Sequence, residues 1–366
     1  MMNQDPVRVS LIHWTQVFPF LRLFRAAPLG CSLSALFLAW FCLAISWAGS
    51  HWILLALSGN SSRDGSQLLH SFPVDELAEF RRDRVRFSVS STGYPELPPV
   101  LPATVGCLGL SASHTFLGRD SSALLFGWPQ RQCEFHWLLP PVLMIWNALV
   151  LGFFGTAIAR MTASRFCRET RTGSRTSVTF AFGNSRAVLL SSALLIVFLA
   201  VCRGVLCLAN LVVNLGTAGS LAVSLVWLAV VLVSVVLFLM YLIGGVAWML
   251  SLAAIGTDRC SGADALSRSV SYILSHRLLT LLCVTCVAGT AMAVHWIIQL
   301  ILNAGLSALP SQLLEADRPR RVWMLVLRIS PDVAQLAVVV SGMSLLYILL
   351  RQREDGIQTE EMDGAA

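Results

Sequence analysis

Charge is scarce in this chain, and lysine is absent from it. Only 13% of its 366 residues are charged, and all 26 basic side chains are arginine. A soluble globular domain carries about 25% charged residues, so that class is excluded. A hydrophobic content of 56% also excludes intrinsic disorder, which requires low hydrophobicity. Without lysine the chain has neither a P-loop lysine nor a Schiff-base amine. HExxH, GxSxG and Walker motifs are missing as well, as is any pair of carboxylates inside an apolar run. The sequence therefore predicts no enzyme, no cofactor and no metal site. The formal charge of +6 comes from arginines clustered beside apolar runs, without a basic stripe interleaved with stacking aromatics. It reads as a membrane-orientation signal, and nucleic acid is not an expected partner.

What is present is apolar length. A span needs about 20 apolar residues to cross a hydrocarbon core of about 30 Å. Six runs satisfy this: residues 33–57, 137–159, 187–213, 221–252, 278–302 and 333–350. The sequence thus predicts an all-α, polytopic helical membrane protein of about six transmembrane helices, with the lipid bilayer as its first partner. Residues 1–28 form an N-terminal segment, in which Leu11, Trp14, Phe18 and Leu21 fall at helical spacing on the membrane surface. The stretch 29–57 is the first span, read as an uncleaved anchor because the polar segment before it is long. Residues 58–134 are a polar loop subdomain with a helix start at Pro73, a short strand around Val85, Phe87 and Val89, and extended chain at Pro98 and Pro99. The membrane domain occupies 135–350, and 351–366 is a charged tail.

Orientation follows from arginine in short loops. The loops holding Arg160 to Arg186 and Arg259 to Arg277, with Arg351 and Arg353, outweigh the opposite side, which has Arg318, Arg320, Arg321 and Arg328. Both termini are expected in the cytoplasm, the chain in the inner membrane, and 58–134 outside. Cys107 and Cys133, which share that loop, are expected to form a disulfide worth about 3–4 kcal/mol in the chain-entropy picture. Cys283-x-x-Cys286 lies in an apolar span without a second pair, so it reads as hydrophobic packing.

The two loops on the arginine-rich side resemble each other. Ser177-Val178-Thr179-Phe180, followed by Arg186 and a span, matches Ser269-Val270-Ser271-Tyr272, followed by Arg277 and a span. Duplicated units of this kind occur in transporters, and equally wherever a stable hairpin has been copied. In the second loop Ser261-x-x-Asp264 is an N-cap arrangement. Leu266, Val270, Ile273 and Leu274 then make one apolar stripe, which predicts an amphipathic helix.

These residues carry a resemblance. Trp146-Asn147-Ala148-Leu149, then Phe153 to Arg160, resembles the motif closing the second span in a group of membrane proteins from planctomycete-type bacteria. Asp264-Ala265-Leu266-Ser267-Arg268-Ser269, then Tyr272, is similar to that group's second motif. The resemblance spans about residues 135–290. It implies the polytopic topology and a cytoplasmic motif of Asp264, Ser267, Arg268 and Tyr272, and it supplies no catalytic residue.

The remaining candidates are polar residues inside spans. Arg203 costs about 2.5–3.5 kcal/mol at a span centre, and Cys207, Asn210 and Asn214 follow on its face. With Asn147 as a possible partner, this is either a substrate path or a structural arginine. The structural reading is favoured because no Asp or Glu falls inside the six runs. His295, Gln299 and Asn303 form a second stripe, either lining the same interior or bonding helices together. The small residues Gly152, Gly155 and Ala159, and Ala334, Ala337, Ser341 and Ser344, should let helices approach closely. The leading expectation is a non-catalytic membrane component that binds membrane or envelope proteins. The alternative is a transporter or lipid-handling protein built around Arg203.

Overall fold

The computed structural model describes residues 23–57, 139–167, 173–213, 227–307 and 318–356. Every regular element among the described residues is helical: α1 (Ala26–Gly30), α2 (Leu33–Leu57), α3 (Leu139–Cys167), α4 (Ser174–Gly183), α5 (Ser185–Val213), α6 (Trp227–Asp258), α7 (Gly262–Ser275), α8 (Arg277–Ser307) and α9 (Arg318–Asp355). The six long helices fall on the six apolar runs. Four are long and apolar enough to cross a membrane, or six when each of two bent pairs counts as one span. The all-α polytopic expectation is therefore met. The N-terminal surface helix, the 58–134 subdomain and its strand fall outside the described residues.

Local chemistry sets several helix ends. Pro140 and Pro141 occupy the first turn of α3, where backbone N–H groups lack intrahelical acceptors and proline costs nothing. Ser261 caps α7, its hydroxyl accepting from the Asp264 N–H at 3.2 Å, as the sequence predicted. Pro331 lies inside α9 and cannot donate to the Leu327 carbonyl. The Ser330 hydroxyl donates there instead, at 2.7 Å, so the helix continues through the proline. For this reason α9 begins at Arg318, well before residue 333. At its other end the helix runs on to Asp355, so 351–355 of the expected tail are its last turn.

The duplication has a backbone counterpart. In each copy a short helix breaks at one residue, Asn184 or His276, and a long helix starts at the next. Both break residues leave helical geometry, and each N–H donates to the carbonyl of the matching aromatic, Phe180 at 3.0 Å and Tyr272 at 3.1 Å. Ser177 and Ser269 are both buried, each donating one turn back, to Gly173 and Ala265.

The C-terminal half of α9 is the centre of the bundle. Val333 through Leu350 is buried at every position but Gln335, and α9 is in contact with α1, α2, α3, α6, α7 and α8. A Cβ on Gly30 would sit 2.7 Å from the Val338 Cα, and one on Gly342 would sit 2.6 Å from Val287 Cγ1. The predicted small-residue stripes lie at these close approaches. Ala334, Ala337, Ser341 and Ser344 are all buried, and a Cβ on Gly155 would be 3.2 Å from Leu252 of α6. Hydroxyl bonds tie the same helices, Thr162 to Ser341 at 3.1 Å and Ser191 to Ser251 at 2.6 Å. Outward faces are apolar instead: Leu189, Leu194 and Val197 on α5, Leu239 and Met240 on α6, and Leu281, Ile297 and Leu300 on α8. That distribution suits hydrocarbon as the surrounding solvent.

Candidate functional site: a charged clasp at the helix ends

Three helix termini meet through charged and phenolic groups, of which the sequence had singled out only Tyr272 as a site residue. Asp258 is the last residue of α6, and Arg351 lies in the last two turns of α9. The Arg351 guanidinium donates to Asp258 Oδ1, and the Tyr347 hydroxyl donates to Asp258 Oδ2 at 2.7 Å. The Arg351 and Asp258 side chains are 14% and 8% exposed, so each neutralises a charge that water would otherwise solvate. Removing one partner of such a buried pair costs about 3–5 kcal/mol.

The clasp extends to α7. Tyr272 donates to Asp355 Oδ2 at 3.0 Å, and Arg351 Nε lies 3.6 Å from the same oxygen. The Tyr272 and Tyr347 rings lie 6.0 Å apart. Burial first, then the bond to Asp355, pushes the Tyr272 phenol up to about 12. It remains a donor throughout the physiological range. Beyond it, Ser275 donates to Glu354 at 3.4 Å, and His276 Nε2 lies 2.8 Å from the other Glu354 oxygen. Tyr347, Arg351 and Asp355 repeat every four residues, which places all three on one face of α9. That spacing was legible in the sequence, hidden only because 351–366 read as a tail.

Of the expected motif, Tyr272 joins the clasp and Asp264 serves the cap. Ser267 and Arg268 are exposed, Ser267 donating to the Asp264 carbonyl at 3.0 Å. Asn147 is buried, but it accepts from the Ser46 hydroxyl, while the Trp146 indole donates to the Ser46 carbonyl at 3.2 Å. It thus ties α3 to α2. The side chains of Arg203, Cys207 and Asn210 lie outside the described residues, as do Asn214, Cys107 and Cys133 entirely. Cys283 and Cys286 are free thiols.

His295 meets a partner that the sequence did not offer. Its Nδ1 lies 3.5 Å from Asp332 Oδ1 on α9. Asp332 falls within a stretch long and apolar enough to cross a membrane, Ile329–Asp355. This corrects the expectation of no carboxylate inside a span. Ser330-Pro331-Asp332 resembles a helix start, yet the helix runs through it, with the Ser330 hydroxyl donating to the Leu327 carbonyl that Pro331 cannot serve. Gln299 and Asn303, one and two turns beyond His295, are exposed on the outer face of α8. The three do not line a common interior. Among the described residues no group of three His, Cys, Asp or Glu side chains could hold a metal ion.

Fold and polar ties together define a polytopic helical membrane protein closed at one end by a charged clasp. Comparison of the chain with protein-family models, with curated proteins and with solved structures finds no match. No residue role or activity comes to it from a relative.

Proposed function

We propose that this chain is a non-catalytic component of the bacterial inner membrane, which holds protein partners of the membrane or envelope through residues 58–134. The observation that carries this reading is the filled bundle. Where a solute path would run, α9 is packed at backbone distance against Gly30 and through Gly342 against Val287. A close-packed, clasped bundle is suited to presenting a loop rather than moving a solute. Arginine bias in the short loops supports cytoplasmic termini and the clasp on the cytoplasmic side. The 58–134 loop then lies in the oxidising compartment, where Cys107 and Cys133 would pair. The resemblance to the planctomycete-type group fits the same topology.

Gentle purification from native membranes tests the assignment. The full chain should bring down a protein partner in stoichiometric amount, and a variant lacking 62–130 should lose it while the membrane domain still accumulates. A chain that elutes with lipid or a small molecule alone would contradict it. Topology is read separately, with a thiol probe that cannot cross membranes. Cys167 and Cys260, both half-buried, should label only after lysis. Burial and Asp258 raise the Cys260 thiol pKa, so labelling belongs at mildly alkaline pH.

One observation favours transport as a second reading. The His295–Asp332 pair places two ionisable groups inside the bundle, and such pairs serve as proton relays in carriers. Proton flux in proteoliposomes that Asp332→Asn abolishes would move the assignment there.

A further inference from the structure

Two guanidinium groups converge on one aromatic ring beside the clasp. Arg160 of α3 and Arg259, in the turn between α6 and α7, stand 4.7 and 5.4 Å from the Phe180 centroid on α4. Three separate elements thus bring two like charges to one ring, whose π system attracts cations. Arg160 also donates to the Gly256 carbonyl at 3.3 Å, which fixes its direction. Arg259 has a backbone φ of 53° and is the only non-glycine with positive φ among the described residues. A glycine or asparagine would rest there without strain, and strained residues concentrate where a ligand is held.

Position along the helices suggests what the pair receives. Arg160 directly follows the apolar run 137–159, and Arg259 directly follows α6. Two turns deeper on the same face of α3, about 10 Å by helical rise, Phe153 stacks on Phe182 with centroids 5.4 Å apart. Phe182 is 64% exposed. A charged pair near the helix end and an exposed aromatic pair below it match the two halves of an amphiphile. We propose that Arg160 and Arg259 bind the phosphodiester of an anionic phospholipid, whose glycerol and acyl carbons lie on Phe153 and Phe182. Guanidinium forks bind phosphate oxygens bidentately, and basic pockets between spans take such headgroups.

Native mass spectrometry of the full chain, in an equal mixture of phosphatidylglycerol and phosphatidylcholine with matched acyl chains, tests this site. The wild type should retain phosphatidylglycerol about tenfold over phosphatidylcholine, because both carry the phosphodiester but the choline ammonium is repelled by the two guanidinium groups. Arg160→Gln with Arg259→Gln should bring the ratio near parity. Arg175→Gln with Arg186→Gln removes two exposed arginines and should leave it unchanged. If the first double variant fails to accumulate, Arg259→Gln alone, in an exposed turn, should still lower the ratio several-fold. Parity in the wild type, equal losses in both double variants, or no loss in Arg259→Gln would overturn the assignment. Displacement of the lipid by added inorganic phosphate would overturn it in favour of a free anion.

Discussion

Asp332 on α9 faces His295 on α8 across 3.5 Å, a distance for ion pairing rather than for a good hydrogen bond. Both side chains are mostly buried, and the two helices run antiparallel along a seam that also joins Gln335 to Met292 and Gly342 to Val287. The pair is one of several polar ties between helices. A double-mutant cycle on His295→Ala and Asp332→Ala, read by thermal unfolding in detergent, should give a coupling of about 0.5–2 kcal/mol. A coupling near zero would show that the two side chains are neighbours without an interaction.

The clasp should behave as a desolvated ion pair. Arg351→Met alone leaves Asp258 buried without its cation, and stability should drop by about 3–5 kcal/mol. Combining it with Asp258→Leu removes both charges and should recover most of that loss. A double variant as unstable as the single one would show that Tyr347 or the packing, not the pair, holds the helix ends.

Alkaline unfolding should report Tyr272. Its phenol ionises near 10 when unfolded and near 12 in the fold, so the fold favours the protonated form. That contribution is present in full below pH 10 and is lost as pH rises towards 12. The stability difference between wild type and Tyr272→Phe should therefore be constant to about pH 10 and shrink above it. A difference already shrinking at pH 8 would contradict the buried, Asp355-bonded phenol.

Glycines should divide by what a methyl group would meet. At Gly262 a Cβ would collide with the Ala187 carbonyl oxygen, and at Gly289 it would meet nothing within 4 Å. Gly262→Ala should cost about 1–3 kcal/mol through overpacking. Gly289→Ala, within α8, should stabilise by about 0.5–1 kcal/mol. Comparable effects at the two sites would contradict the close approach of α7 to α5.

Replacing Ser330 tests how α9 survives its proline. Ser330→Ala should cost about 1 kcal/mol, since the Leu327 carbonyl loses its donor. In a Pro331→Ala background, where the backbone N–H returns, the same change should be nearly silent.

Much of this architecture was legible because lipid imposes one rule on every span: about 20 apolar residues whose backbone bonds close internally. All six long helices, the Ser261 cap and the likeness of the two loops came from such local signals. The centre of the bundle did not. Residues 333–350 have the same apolar character as 278–302, and composition does not say which helix faces lipid. Asp258, Arg351 and Asp355 looked like loop and tail charges because their partners lie far away in the chain. Tyr347 fell inside the last apolar run, 333–350. Only packing brings the four together. Asp332 was missed for a local reason, since a serine hydroxyl repairing a proline break has no signature distinct from a helix cap.

The α9 helix fills the interior, and thiol access measures this directly. Ser341→Cys and Ser344→Cys, in a chain lacking its native cysteines, place thiols at two fully buried positions where the side-chain volume hardly changes. A small, water-soluble thiol reagent should leave both unlabelled in the folded protein and label both after denaturation. Rapid labelling of either in the folded protein would mean that water reaches the centre of the bundle, and would contradict the close-packed interior on which this account rests.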